Sequence, residues 1–267
     1  MKKYYTRACN FFYGKSSVKL VNQKKTFPLR GSKEISFNRI EIISRNSKKI
    51  ISLNDIKKLP QALEKKIKND IEVIVKKNKN FSNLNFKKNP NIMGVLNLTP
   101  DSFSDGGKFN KKKIALKHVI DLFKFGADIV DVGGESTRPG SKSIDEKKEW
   151  NRIEKVIKKI SKKIPLSLDT RKANIMNKGI KLGVQLINDV SGLSYDVKTI
   201  EVLRRSKSPF VIQHSKGIPE NMQNNPKYKN ELLDIYDFFE AKIKFLRSEG
   251  IKHNNIILDP GIGFGKN

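Results

Sequence analysis

Residues 92–107 read Ile92-Met-Gly-Val-Leu-Asn97-Leu-Thr-Pro-Asp101-Ser-Phe103-Ser-Asp105-Gly-Gly107. A short apolar run passes directly into a polar loop that carries an amide, two carboxylates, three hydroxyls, one aromatic ring and a glycine pair. A plain surface turn needs no such inventory, so the stretch predicts a buried strand whose C-terminal end opens into a site. Further apolar runs follow at 127–132, 164–168, 184–187, 210–212 and 255–258, with helical patterns between them. Residues 111–125 place Leu116, Val119, Ile120 and Phe123 on one helix face. Ser143-Ile-Asp-Glu146 reads as a capping box that opens a helix with Trp150, Ile153, Ile157 and Ile160 inward. Residues 228–248 form a long helix with Leu232, Ile235, Phe239, Ile243 and Leu246 on its buried face, ended by Gly250. Buried strands alternating with helices predict a parallel sheet. Polar motifs close nearly every strand, which favours a barrel with its site at the strand C-termini over an open sheet with one switch point.

Composition sets the outer bounds. At 267 residues the chain has room for one α/β barrel or two smaller domains. A single cysteine, Cys9, excludes a disulfide framework and suits a reducing cytoplasm. There is no apolar run of membrane-span length, and no signal-peptide core follows the basic N-terminus. The expectation is a soluble, cytoplasmic protein without membrane partners. The net charge of +28 invites a nucleic-acid reading. The excess is mostly lysine spread along the chain, with no zinc spacing and no RNA-binding aromatic signature, so no nucleic-acid partner is expected. Residues 1–90 differ in texture: they are lysine-rich, with β-like runs at 35–37 and 40–43, a helix over 54–77 and a polar linker over 76–90. They are read as an α+β extension of unknown role, ahead of a barrel domain at 91–267.

The strand-end motifs together resemble dihydropteroate synthases. After the first loop come Asp131-Val-Gly-Gly-Glu-Ser-Thr137-Arg138-Pro139-Gly140, Ser167-Leu-Asp169-Thr-Arg171, Asn188-Asp-Val-Ser-Gly192, Gln213-His-Ser-Lys-Gly217 and Asp259-Pro-Gly-Ile-Gly-Phe-Gly265, in the family's order. The resemblance implies an α/β fold, a (β/α)8 TIM barrel of which about six strand–helix units are present. It implies a transferase that joins 4-aminobenzoate to a dihydropterin methyl diphosphate, giving dihydropteroate and diphosphate. A pterin edge offers an amino group and a ring N–H, and buried carboxylates are their natural acceptors. Asp169 and Asp259 fit that part, with Asn188 able to donate or accept beside them. By resemblance, Asn97 ligates a Mg²⁺ ion on the diphosphate, Thr137 and Arg138 contact the diphosphate, and Asp105 stabilises the reacting methylene. Phe103 and Pro139 line the aminobenzoate pocket, whereas Asp101 after Pro100 reads as a turn former. His214 is assigned a structural role, since the aromatic amine needs no base. Gln213 stands where the family usually has an apolar residue, often Met.

The resemblance also implies a Lys from a seventh strand, an Arg and a His from an eighth, and a homodimer surface on the last helices. None has a counterpart by residue 267. The expectation is a piece of a longer gene product, inactive or nearly so alone. Two other readings compete. A methyltetrahydrofolate-binding methyltransferase module shares Asp and Asn at strand ends but does not call for the loops at 99–107 and 136–140. A basic RNA-binding or scaffold protein would leave Asp169 and Asp259 without a purpose.

Overall fold

The structure, a computed structural model, describes residues 3–77, 81, 84, 90–99, 111–136, 141–216 and 226–266. The chain forms two compact units, Met1–Lys79 and Asn80–Asn267.

In the first unit a long strand is central. β3 (Ser32–Ser44) pairs antiparallel with β1 (Tyr5–Tyr13) on one side, and with β2 (Phe27–Leu29) and then β4 (Ser47–Ser52) on the other. Helix α1 (Gly14–Asn22) is pinned to the sheet by the buried Ser17 hydroxyl, which donates to Lys33 O and to Ser36 Oγ, each at 2.7 Å. Helix α2 (Gln61–Val75) lays Ile67 and Ile71 on Phe37, Ile40, Ile42 and Ile51. The helix expected over 54–77 is two pieces, a 3-10 turn at Leu53–Lys58 and then α2. Pro60, at φ −54° and ψ 138°, separates them, because proline has no N–H to continue the ladder. The two short β-like runs are one strand, and α1, β1, β2 and β4 were not anticipated.

The second unit is a six-stranded parallel sheet. Its strands are β5 (Met93–Asn97), β6 (Ile129–Gly133), β7 (Leu166–Asp169), β8 (Leu186–Asp189), β9 (Phe210–Gln213) and β10 (Ile256–Asp259). Each pairs with its successor in the chain, in the order β10-β9-β8-β7-β6-β5. An order that never reverses is that of a barrel and not of a doubly wound sheet. Each strand ends one or two residues later than the apolar run that announced it, and all but β9, which starts with its run at Phe210, also begin one or two residues later.

Alternation divides the strands between two cores. Val130, Val132, Leu166, Leu168, Ile187, Phe210 and Ile212 face outward onto the helices α3 (Lys111–Lys124), α4 (Glu146–Ile160), α5 (Ala173–Lys181), α6 (Thr199–Ser206) and α7 (Glu231–Ser248). Ile129, Leu186 and Val211 face inward and cluster with Leu84 and the partly buried Phe81 and Ile257. This explains why the compact unit begins at Asn80 and not at 91. Phe81 and Leu84, read as polar linker, belong to the barrel core.

Two helix faces and one helix cap differ from the expectation. In α3, Val119 is buried but Ile120 and Phe123 are exposed, and Ala115 takes the inner place. In α4 the N-cap is Asp145, whose carboxylate accepts from Lys147 N at 2.7 Å and Lys148 N at 3.3 Å, so Ser143 is not the cap. In α7, capped by Asn230, Leu233 is buried and Leu232 is exposed. Trp150, Ile153, Ile157 and Ile160 are buried as expected. Among the described residues no helix is long and apolar enough to cross a membrane.

Candidate active site

The C-terminal ends of the parallel strands bring Asn97, Asp169 and Asn188 into one row. The ladder pairs Asn97 with Gly133, Gly133 with Asp169, and Asp169 with Asn188. Asp259 pairs with Gln213 at the ends of β10 and β9. All of these alternate with residues that pack outward, so their side chains share the inner face of the sheet.

Gly133 makes the row possible. A β-carbon there would stand 3.2 Å from Asn97 Oδ1 and 3.3 Å from Asp169 Oδ2. The bare glycine therefore lets an amide oxygen and a carboxylate oxygen converge from the two flanking strands. Behind it, Gly134 is pressed onto α4, with the place of its β-carbon 2.9 Å from Glu149 O.

Asp131, which opens the second strand-end motif but carries no assigned role in the sequence reading, joins the site. It is 5% exposed and lies two residues before Gly133 on the same face. Its Oδ2 accepts from Asn188 Nδ2 at 2.9 Å. The bond uses the donor end of the Asn188 amide and leaves its carbonyl oxygen as the group presented elsewhere. Asp131 Oδ1 is buried and has no hydrogen-bond partner among the described residues. The signal that would have found it is the two-residue alternation Ile129, Asp131, Gly133.

Three carboxylates crowd this end of the sheet, the buried Asp131 and Asp189 and the partly buried Asp169. Burial first, and then the negative charge of Asp131, Asp189, Glu149 and Glu135, push the Asp169 carboxyl well above its ordinary range. Burial also raises Asp131, opposed by Ser167 and Asn188. Asp189 is pushed up to about 6 by burial, against hydrogen bonds from Ser191 N at 2.7 Å and Ser191 Oγ at 2.6 Å. A carboxylate raised in this way, as Asp169 is, gains from a ligand that brings N–H donors.

The second strand-end loop rests on a buried ion network. Glu135 Oε2 accepts from Arg171 Nε at 2.9 Å, and Glu135 Oε1 from Lys172 Nζ at 3.1 Å and from Ile144 N at 2.9 Å. Lys172 Nζ also donates to Glu149 Oε2 at 2.6 Å and to Ile144 O at 2.7 Å, and Thr170 Oγ1 donates to Glu149 Oε1 at 2.6 Å. Burial pushes the Glu135 carboxyl up, but its bonds to Arg171, Ile144 and Lys172 outweigh it and hold the group below its ordinary range. The Arg171 guanidinium also stacks 4.0 Å above the Tyr195 ring. These residues escaped the sequence reading because the partners lie 9 to 37 positions apart.

The last two strand ends are tied to each other. Gly261 N donates to Asp259 Oδ1 at 2.7 Å, and Lys266 Nζ donates to His214 O at 3.0 Å and Phe264 O at 2.8 Å. Tyr228 Oη donates to Gly265 O at 2.5 Å. Thus the glycine-rich segment is stapled across β9. The His214 ring is buried edge-on to Phe238, with centroids 4.8 Å apart, and burial lowers its pKa. That is a packing position, in keeping with the structural role expected of it.

Phe103, Asp105, Thr137, Arg138 and Pro139 lie outside the described residues. So the structure places four of the nine expected site residues, namely Asn97, Asp169, Asn188 and Asp259, all on the inner face at the strand ends. Among the described residues no three His, Cys, Asp or Glu side chains are grouped as a metal cage.

Comparison with known proteins decides the family. The profile of the pterin binding enzyme family matches residues 93–267. The chain belongs to that family. It is 45% identical over 177 residues to a dihydropteroate synthase of Clostridium beijerinckii, covering 66% of this chain and 63% of the relative. A crystal structure of the dihydropteroate synthase of Clostridium difficile, determined in the presence of pteroic acid, superposes with a TM-score of 0.63 at 43% identity, over 69% of this chain and 68% of that one. The Burkholderia cenocepacia dihydropteroate synthase complexed with 7,8-dihydropteroate superposes with a TM-score of 0.59 at 34% identity, over 69% of this chain and 62% of that one. The chain thus spans less than two thirds of the length of the curated relatives it matches. Within this family the barrel reading of the six-stranded sheet holds, and the matched region lies within the second compact unit.

Proposed function

We propose that this chain carries the pterin-holding part of a dihydropteroate synthase. The enzyme condenses 4-aminobenzoate with the dihydropterin methyl diphosphate in folate biosynthesis, in the cytoplasm and as a homodimer. The observation that carries the reading is the row Asn97–Gly133–Asp169–Asn188, in which acceptors from separate strands converge on one inner face. In the reaction, the bond between the methylene carbon and the diphosphate oxygen breaks and the diphosphate leaves with the electron pair. The aromatic amine then forms the new C–N bond and gives up a proton to solvent.

Each residue of this chain has a share in that chemistry. Asp169 and Asp259 would accept the amino and ring N–H groups of the pterin, and Asn188, oriented by Asp131, would bond the neighbouring ring edge. The proteins act mainly by positioning and by stabilising charge, since the amine is already a nucleophile. Asn97 fits as a lone protein ligand for Mg²⁺, because that ion keeps water and substrate oxygens and seldom takes an all-protein cage. When bound, the ion would supply neutralising charge for the departing diphosphate. Asp105 near the methylene, Thr137 and Arg138 on the diphosphate, and Phe103 and Pro139 around the aminobenzoate complete the proposal on the strength of the family resemblance.

Titration calorimetry tests it with the pterin diphosphate and with the same pterin bearing a plain hydroxymethyl group. The expectation is that Asn97→Ala abolishes the Mg²⁺ dependence of diphosphate binding and leaves the hydroxymethyl compound bound as before. Equal losses for both compounds would remove Asn97 from the metal role.

A further inference from the structure

Gln213 is the last residue of β9 and stands opposite Asp259 in the ladder. Two residues earlier on each strand, Val211 and Ile257 pack in the inner cluster, so Gln213 and Asp259 both project from the inner face. Gln213 is 4% exposed, and its Nε2 has no hydrogen-bond partner among the described residues. The nitrogen lies against Gly261, where a β-carbon would come within 3.2 Å of it. Gly261 in turn donates its N–H to Asp259 Oδ1, so the amide and the carboxylate sit side by side at one corner of the site.

An amide N–H₂ buried without an acceptor is destabilising, because it has given up water and gained no partner. A methionine would fill nearly the same length without that cost. The amide therefore has an open place for an acceptor that none of the described residues fills. On a pterin edge a ring N–H stands next to a ring carbonyl. A carboxylate beside an amide donor is the complementary pair: the first accepts from the N–H and the second donates to the oxygen.

We propose that Gln213 is a specificity-determining residue, donating from Nε2 to the ring carbonyl oxygen of the bound pterin beside Asp259. This inference rests on the pterin reading above. The test is calorimetry on the 267-residue chain with 6-hydroxymethylpterin and with its 4-amino counterpart, which replaces the carbonyl by an amino group. Gln213→Met is expected to lose roughly three- to ten-fold in affinity for the oxo compound and to change little for the amino compound. It should at the same time raise the thermal midpoint of the ligand-free chain, because the unpaired amide is gone. Gln213→Glu, with the same shape but no donor, should lose at least as much for the oxo compound. A Gln213→Met variant that keeps the wild-type preference between the two compounds overturns the inference alone. So does one that melts lower and loses both ligands equally, since that is the behaviour of a packing residue. A wild-type chain that binds neither compound overturns the pterin reading, and this inference with it.

Discussion

At the scale of single residues, the site depends on carboxyl groups held away from water. Asp169 is raised well above the ordinary carboxylate range, by burial first and by its acidic neighbours second. A ligand bringing two N–H donors needs the ionised form. Affinity for the pterin should therefore fall as pH falls through that raised value, and below it binding should release a proton. Calorimetry below that value in buffers of different ionisation enthalpy checks this; an observed enthalpy that is the same in every buffer would contradict it. Asp189 offers a second test, on stability. Its folded-state pKa is about 6. The unfolded chain loses that proton near the ordinary value of about 3.9. Between the two values the folded state holds more protons than the unfolded one, so this group's contribution to stability declines as pH rises. Asp189→Asn keeps an acceptor for Ser191 and removes the buried charge. It should stabilise the chain by about 3 kcal/mol at pH 8 and by little at pH 4, as read from urea unfolding at each pH.

At the scale of elements, the ends of β6 and β7 and the start of α4 are held by Lys172 between Glu135 and Glu149. Replacing Lys172 by Met would leave the fully buried Glu149 without its cation. The expected loss is about 3 to 5 kcal/mol at pH 8. Burial raises the Glu149 carboxyl, so the loss should shrink as pH is lowered and the orphaned group takes up a proton; a loss equal at pH 8 and pH 5 would show that packing and not charge is responsible. This network also marks where sequence reasoning stops. The six strands were legible because each is a short apolar run bounded by polar strand ends. Asn97, Asp169, Asn188 and Asp259 could be singled out because each closes such a run within a motif that resembles the family's. Asp131 was hidden because burial on both faces of β6 blurs its alternation. Glu149 and Lys172 were hidden because a charged residue on a helix or after a strand reads as solvated until its distant partner is seen. The exposed Ile120, Phe123 and Leu232 show the converse. Helical spacing alone leaves the buried face uncertain by one position.

At the scale of the whole molecule, the inner face of the sheet has two levels. The strand ends carry the polar row, and the strand starts carry Ile129, Leu186 and Val211 beneath Leu84. Leu84→Ala should cost about 2 to 5 kcal/mol, since the strand starts lose their cover, and it should leave pterin affinity at matched folded fraction unchanged. Deleting residues 1–79 should preserve pterin binding, because every described site residue and its packing partners lie in the second unit. Extending the deletion through Leu84 should not. The central claim is that acidic side chains from separate strands hold one pterin ring. Its most direct test is the calorimetric affinity of the chain for the pterin diphosphate, compared between wild type, Asp169→Asn and Asp259→Asn. The account predicts that the wild type binds and that each neutralised variant loses at least roughly ten-fold. Equal affinity in all three would contradict it.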